Sequence, residues 1–140
     1  MRLAPADADR RLARSITDST TPGNPPPVAA GPYRPVVRAG EWVICSGQLG
    51  VIAGELVDGV GAQLRQAITN LESLLASQGV SLSDVVKTTV FLTDMADFDE
   101  MNGVYVECFV EPRPARSAVA VVALPRGAQV EIEAWALQPS

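Results

Sequence analysis

The sequence predicts an α+β fold, a two-layer sandwich in which a mixed β-sheet is covered on one face by two helices. Two segments carry apolar residues at three- and four-residue spacing, which is typical of amphipathic helices packed on a core. Five short β-prone runs surround these segments, so the predicted order of elements is β-β-α-β-α-β-β. Elements in this proportion commonly form a sheet with helices packed against it.

The first two predicted strands form a hairpin. Residues 36–38 and 42–45 are β-prone, and Ala39-Gly40-Glu41 between them is typical of a tight turn. Val51-Ile52 follows among three glycines that predict turns, namely Gly47, Gly50 and Gly54.

The segment from Val60 to Gln78 predicts the longer helix. Its apolar stripe consists of Val60, Leu64, Ala67, Ile68, Leu71, Leu74 and Leu75. Asp58 is the predicted N-cap, and Gly79 lies where a left-handed residue commonly ends a helix. The β-branched run from Val85 to Leu92 predicts the strand that follows.

A second helix is predicted to begin at Asp97, which resembles a capping box with Glu100 three residues later. Its apolar face comprises Phe98, Met101, Val104, Tyr105 and Phe109. Gly103 weakens the helix by about 1 kcal/mol relative to alanine, and it either allows another element to approach or is simply exposed. Pro112 and Pro114 end the helix.

Two final strands are predicted over residues 117–123 and 129–137, separated by a turn at Pro125-Arg126-Gly127. With both helices on one side, the other face of the sheet is left bare. An exposed apolar sheet face indicates association between chains.

The chain divides into an arm and one domain. Residues 1–28 are predicted to form a flexible N-terminal arm, because three consecutive prolines at 25–27 exclude a helix interior or a central strand. We expect at most a short helical turn around residues 9–14. Residues 29–140 form the predicted domain, which is long enough to build a core.

Composition excludes several classes of function. The chain has no histidine, the commonest general base and metal ligand, and no zinc, calcium, P-loop or dinucleotide pattern. We therefore expect no cofactor and no metal. The net charge of -5 disfavours nucleic acid as a partner. Cys45 and Cys108 are expected to be buried, unreactive thiols.

No apolar run approaches the ~20 residues that span a bilayer. The N-terminus also lacks the apolar centre of a signal peptide. We therefore expect no membrane partner and a cytoplasmic location.

Two charged residues are candidates for chemistry. Arg116 begins an otherwise apolar strand, where a guanidinium needs an anionic partner, either a protein carboxylate or a ligand carboxylate. The residues alone favour the first alternative. Glu131 alternates with apolar neighbours, so it lies either on a solvated face or in a pocket where it handles a proton. Ser46 has no base to activate it, which excludes serine-hydrolase chemistry.

Taken together and in order, these segments resemble the RidA/YjgF family, long known as endoribonuclease L-PSP. The resemblance covers roughly residues 28–138. The matching segments are Gly31-Pro32-Tyr33, Ser46-Gly47-Gln48, Gln63 with Asn70-Leu71, residues 85–92, Asn102 with Tyr105, Pro114-Ala115-Arg116-Ser117, Leu124-Pro125 and Glu131-Ile132-Glu133-Ala134.

The resemblance implies a chorismate-mutase-like homotrimer with ligand clefts between subunits. It further implies hydrolysis of 2-imino acids, which arise from enamines such as 2-aminoacrylate, to 2-keto acids and ammonia, as a form of metabolite damage control. Arg116 would bind the substrate carboxylate, and Glu131 would orient or activate water. Four more residues match pocket positions: Tyr33, Ser46, Asn102 and Ala118.

Two departures from the family pattern bear on the substrate range. Arg34-Pro35 stands where the family often has a small polar residue and Gln, and Ala118 stands where many members have Cys or Thr. Three other functions remain open: a non-catalytic trimer that binds small carboxylates in a regulatory or chaperone-like role, an RNA-cleaving enzyme, and a chorismate mutase. The absence of histidine and the negative charge disfavour RNA cleavage.

Overall fold

The computed structural model describes residues 25–138. Most of the predicted arm, including the helical turn expected around residues 9–14, lies outside the described residues. The described part forms these elements: β1 (Val36–Ala39), β2 (Trp42–Gln48), β3 (Val51–Ile52), β4 (Glu55–Leu56), α1 (Val60–Ala76), β5 (Val85–Leu92), α2 (Phe98–Cys108), β6 (Ala115–Ala120) and β7 (Val130–Leu137).

Five of the strands form one mixed sheet in the order β1-β2-β7-β5-β6. Strands β5 and β6 run parallel, and the other neighbouring pairs are antiparallel. The two short strands β3 and β4 form a separate hairpin that the sequence did not predict. Helices α1 and α2 pack on one face of the large sheet, so the predicted two-layer α+β architecture is confirmed.

The core lies between the helices and this sheet face. The inward residues of β7 are completely buried, and they alternate with outward residues that are partly exposed. The apolar stripe predicted for α1 is buried along its whole length. The predicted face of α2 is buried at Met101, Val104 and Tyr105. Neither α-helix of the described chain is long and apolar enough to cross a membrane.

Both helices begin where the sequence predicts, at Val60 and directly after Asp97, but neither predicted side-chain cap forms. Helix α1 is preceded by Gly59 at φ 93 with no side-chain cap, so Asp58 is not the N-cap. Helix α2 follows directly on a 3-10 turn, Met95–Asp97, whose cap is Asp94. Asp94 accepts a hydrogen bond from the Ala96 N–H at 2.9 Å. Because the chain already turns at Asp94, the Asp97 side chain makes no capping bond.

Two other expectations were corrected in detail. Gly47 lies inside β2, where the register with β7 shifts between Cys45 and Gln48, and not in a turn. Strand β6 covers 115–120 and not 117–123, because its parallel pairing with β5 runs from Lys87 opposite Ala115 to Leu92 opposite Ala120. The left-handed residue predicted at Gly79 is confirmed by its φ of 76.

The face of the sheet away from the helices is open, and its β1–β2–β7 end carries large apolar side chains. Trp42 and Trp135 meet edge to face with ring centroids 5.9 Å apart. They remain 40% and 41% exposed, although both are large hydrophobic side chains. Ile44 pairs with Trp135, and Trp42 pairs with Leu137, on this same face. The bare sheet face expected from the sequence is therefore present in the single chain.

Candidate functional site

Arg116 lies at the beginning of β6, an edge strand, and reaches towards α2. Its Nη1 donates a hydrogen bond to Oδ1 of Asn102 at 2.7 Å and approaches the Met101 sulfur at 3.7 Å. The guanidinium carbon lies 4.7 Å from the ring centre of Tyr105, which is cation–π distance. No carboxylate of residues 25–138 forms an ion pair with this guanidinium.

Strand register explains why Arg116 faces α2. It is the parallel neighbour of Thr88 on β5, and Thr88 is completely buried on the helix side of the sheet. Ala118 lies two residues further along β6, on the same side, and packs against the core. Asn102 and Ala118, two of the pocket positions implied by the family resemblance, therefore lie close to Arg116 along α2 and β6.

Glu131 lies on the opposite side of the sheet. It alternates with the buried residues Val130 and Ile132 of β7 and pairs with Phe91 of β5. Burial, together with the nearby negative charge of Glu133, raises the pKa of the Glu131 carboxyl above its ordinary value. A carboxylate with a raised pKa is a better proton acceptor at neutral pH than an ordinary one.

The β-bulge in β2 makes room for Glu131. Ser46 and Gly47 together span the register shift between Cys45 and Gln48. A side chain at position 47 would place its Cβ only 2.0 Å from Oε1 of Glu131. Glycine at this position therefore lets the carboxylate lie directly against the backbone of β2.

Ser46, which belongs to this bulge, is bonded to the segment that follows Tyr33. The Ser46 hydroxyl donates to the Arg34 carbonyl oxygen at 2.8 Å, and its N–H donates to the Pro35 carbonyl oxygen at 2.9 Å. These bonds fix the segment that carries Tyr33, which is half exposed. With its hydroxyl donating to the backbone, Ser46 serves to tie two segments together.

The structure thus divides the candidate residues into two groups. Arg116, Asn102 and Ala118 lie on the helix side of the sheet, and Glu131 lies on the open side next to the Ser46–Gly47 bulge. Within one chain, the two charged residues do not share a pocket.

A cavity of about 620 Å³ lies between residues 25–35, the β3–β4 hairpin and helix α1. Tyr33 and Gly47 line it, whereas neither Arg116 nor Glu131 does. On its wall Asn70 donates to the carbonyl oxygens of Leu49 and Val51 at 3.1 and 3.0 Å. Those bonds hold the loop before β3 on α1, so we interpret Asn70 as structural.

Both cysteines are poor nucleophiles. Burial raises the pKa of Cys45 to about 12, and burial also raises the pKa of Cys108. The thiolate forms are therefore scarce at neutral pH, as the sequence predicts.

The sequence analysis missed two features of the candidate site. It did not single out Thr88, and it did not identify the contact between Gly47 and Glu131. Thr88 is a polar side chain at an inward position of β5, so strand alternation could have identified it. The contact of Gly47 with Glu131 depends on a register shift between distant strands, for which the sequence carries no local signal.

Comparison with known proteins places this sequence among characterised relatives. Residues 24–138 match the family model described as Endoribonuclease L-PSP. The mouse 2-iminobutanoate/2-iminopropanoate deaminase is 45% identical over 115 residues, which cover 80% of this chain and 85% of the relative. The mitochondrial protein mmf1 of Schizosaccharomyces pombe is 44% identical, covering 84% of this chain and 76% of the relative.

Solved structures agree on the fold. RidA from the Antarctic bacterium Psychrobacter superposes with a TM-score of 0.78 at 45% identity, covering 80% of this chain and 93% of that one. Escherichia coli TdcF with bound serine superposes with a TM-score of 0.78 at 39% identity, covering 81% and 94%. By sequence and by fold, the chain belongs to the endoribonuclease L-PSP family, which is also known as the RidA/YjgF family.

Proposed function

We propose that this protein hydrolyses 2-imino acids to 2-keto acids and ammonia. The observation that carries the proposal is Arg116, a guanidinium held by Asn102 and Tyr105 with no carboxylate partner among residues 25–138. Relatives from mouse, cattle and human, at 39% to 45% identity, bear the name 2-iminobutanoate/2-iminopropanoate deaminase.

Arg116 binds the substrate carboxylate in this proposal. Within residues 25–138 its hydrogen bonds use only Nη1, so Nε–H and the Nη2 hydrogens have no acceptor in that part of the chain. A guanidinium edge with two parallel N–H groups matches a carboxylate in a bidentate arrangement. The ligand carboxylate would thus supply the anionic partner that the protein does not.

Glu131 acts on water. Its ionised carboxylate accepts a proton from the water whose oxygen bonds to the imine carbon, and it passes that proton to the imine nitrogen. The resulting carbon bears both a hydroxyl and an amino group. The hydroxyl then gives its proton to the nitrogen by the same route as the C–N bond breaks, which releases ammonia and leaves the 2-keto acid, so one water is consumed for each imine. An imine carbon is already electrophilic, and a positioned water with a general base suffices.

The two groups meet between subunits of a homotrimer in this proposal. Arg116 lies on the edge strand β6 and Glu131 on the open sheet face of the same chain, so a neighbouring copy on that face would complete each site. The exposed pair Trp42 and Trp135 gives that face the apolar character of an interface. Three clefts would then be equivalent by symmetry.

The cellular role we propose is damage control in the cytoplasm, where enamines and imines released by other enzymes would be removed. The reaction as written needs no cofactor and no metal, because proton transfer and positioning account for every step. Nucleic acid and membranes are not partners in this proposal. Fractionation of the cells that make the protein tests the location, since one relative is mitochondrial and another is chloroplastic.

The direct test is imine consumption. 2-Iminopropanoate is generated in situ by a dehydratase, and the remaining imine is trapped with semicarbazide. We expect Arg116→Ala to lower kcat/KM about 100-fold or more, because charge-assisted hydrogen bonds to the carboxylate are lost. Arg65→Ala is the matched control, since Arg65 pairs with Glu107 at 2.6 Å on the exposed helix surface. It should keep full activity.

A second variant separates catalysis from binding alone. Glu131→Gln should abolish most turnover and leave the binding of 2-oxobutanoate intact, because only proton transfer is removed. Full activity in both Arg116→Ala and Glu131→Gln contradicts the proposal. Absence of turnover in the wild-type trimer, with carboxylate binding retained, favours a binding protein.

A further inference from the structure

We propose that Tyr105, held in place by Thr88, is a positioning residue that orients the guanidinium of Arg116 towards the ligand carboxylate. The inference rests on the proposed function, in which Arg116 binds that carboxylate. It concerns how a flexible arginine is kept in one orientation when no protein carboxylate pairs with it.

Helix α2 supplies one surface for the guanidinium. Phe98, Asn102 and Tyr105 follow one another at helical spacing, so they share a face. The guanidinium carbon lies 4.7 Å from the Tyr105 ring centre and 5.7 Å from that of Phe98. Asn102 accepts the hydrogen bond from Nη1. Both aromatic rings lie within cation–π distance of the guanidinium, and the amide holds one of its nitrogens by a hydrogen bond.

Tyr105 itself is fixed by two contacts in the core. Its ring stacks on Phe109 with centroids 4.6 Å apart and an interplanar angle of 27°. Its hydroxyl shares a hydrogen bond of 2.7 Å with Oγ1 of Thr88. Tyr105 is 3% exposed and Thr88 is 0% exposed. Very little room remains for the ring to rotate, so its orientation is set by the core.

The hydroxyl pair is unusual for its surroundings. The inward neighbours of Thr88 on β5, Val90 and Leu92, are apolar and completely buried. A Phe and Val pair would fill nearly the same volume with no buried polar atoms, and such replacements are often neutral or stabilising. Stability alone therefore does not require the hydroxyl pair. The hydroxyl pair is well placed to orient the Arg116 guanidinium, because Thr88 is the strand neighbour of Arg116.

This arrangement predicts a defect in substrate capture. An arginine that samples several orientations must be ordered when the ligand binds, and the ordering opposes binding. Loss of the ring would therefore raise KM for the imine and Kd for 2-oxobutanoate more than it lowers kcat. Loss of the hydroxyl alone would give the same change on a smaller scale.

The experiment uses the full-length protein in three variants. Tyr105→Leu removes the ring, Tyr105→Phe with Thr88→Val removes only the hydroxyl pair, and Val43→Ala is the matched control. Val43 is completely buried in the core on β2, which β7 and β5 separate from the strand that carries Arg116. We expect KM and Kd to rise about tenfold in Tyr105→Leu and about threefold in the double variant, with kcat changed less than twofold. Val43→Ala should change KM less than twofold.

Three results would overturn the proposal. One is an unchanged KM and Kd in Tyr105→Leu; another is an equal rise in Val43→Ala, which would mark a general effect of core damage. If Tyr105→Leu does not fold, the double variant tests the proposal instead. Wild-type KM and Kd in the double variant would then be the third result that overturns it.

The 2-oxobutanoate titration separates this proposal from the proposed function. If the wild-type protein shows no turnover but binds 2-oxobutanoate through Arg116, the deaminase proposal fails while Kd in the same variants still decides the role of Tyr105. If the wild type neither turns over imine nor binds 2-oxobutanoate, both proposals fail.

Discussion

Glu131 is a carboxyl group whose surroundings adjust its protonation. Burial accounts for most of the upward shift in its pKa, and the charge of Glu133 on the same strand face adds to it. As a proton acceptor, Glu131 works only when ionised. Activity should therefore fall as the pH drops through this raised pKa, which lies above the ordinary value for a glutamate.

Substitution of Glu133 tests whether its charge contributes to the raised pKa of Glu131. Glu133→Gln removes a like charge, so the pKa of Glu131 should fall and the acid limb of the kcat/KM profile should move to lower pH. The measurement is the rate of imine loss across the acid range, corrected for spontaneous hydrolysis. Glu107→Gln, on the far side of the helices, is the control and should leave the limb in place. A limb that stays fixed in Glu133→Gln would mean that another group controls the profile.

At the scale of elements, close approach of backbones decides where glycine is required. Gly50 lies where the chain leaves β2, and a Cβ there would come within 2.5 Å of backbone atoms of Gln63 in α1. Gln63 also accepts, through Oε1, a hydrogen bond of 2.8 Å from the Gln129 N–H just before β7. One helical turn thus joins the loop after β2 to the start of β7.

We expect Gly50→Ala to destabilise the fold by about 1 to 3 kcal/mol, because backbone atoms cannot move aside as a flexible side chain can. Gly103→Ala is the matched control. Nothing lies within 4 Å of a Cβ at Gly103 in the middle of α2, so alanine should stabilise that helix by up to about 1 kcal/mol. Denaturant unfolding of both variants measures the difference. Equal stability of the two would contradict this account.

The whole molecule is organised by its two unlike sheet faces. One face is closed by α1 and α2, and the other carries Trp42, Trp135 and the carboxyl group of Glu131. If the open face is the subunit interface, one surface provides both the apolar contact and half of each cleft. Assembly and activity would then depend on the same residues.

Trp135→Glu tests this dependence. A charge on the open face opposes the burial of that face, so the proposed trimer should dissociate into monomers and imine hydrolysis should fall with it. Sedimentation velocity and the semicarbazide assay measure the two properties on one sample. Ala62→Glu, on an exposed position of α1, is the control and should remain trimeric and active. A monomer with full activity would place the complete site within one chain.

The sequence predicted most of the fold because its signals are local. The apolar stripe of α1 and the β-branched run of β5 follow directly from periodicity, and β5 has the predicted bounds, Val85–Leu92. The errors lie at element ends. The cap at Asp58 and the bounds of β6 depend on chain direction and on strand pairing, which neighbouring residues do not specify.

The sequence by itself determined the two-layer architecture, the buried thiol of Cys45 and the unusual placement of Arg116 at the start of an apolar strand, whereas Cys108, also expected to be buried, is partly exposed. Its order of motifs also identified the family. Only the tertiary structure decided that Arg116 and Glu131 lie on opposite faces of the sheet. It also decided that a bulge at Gly47 admits the carboxylate and that Thr88 meets Tyr105. These contacts join residues far apart in the chain, so their geometry is set by strand register and packing and not by local pattern.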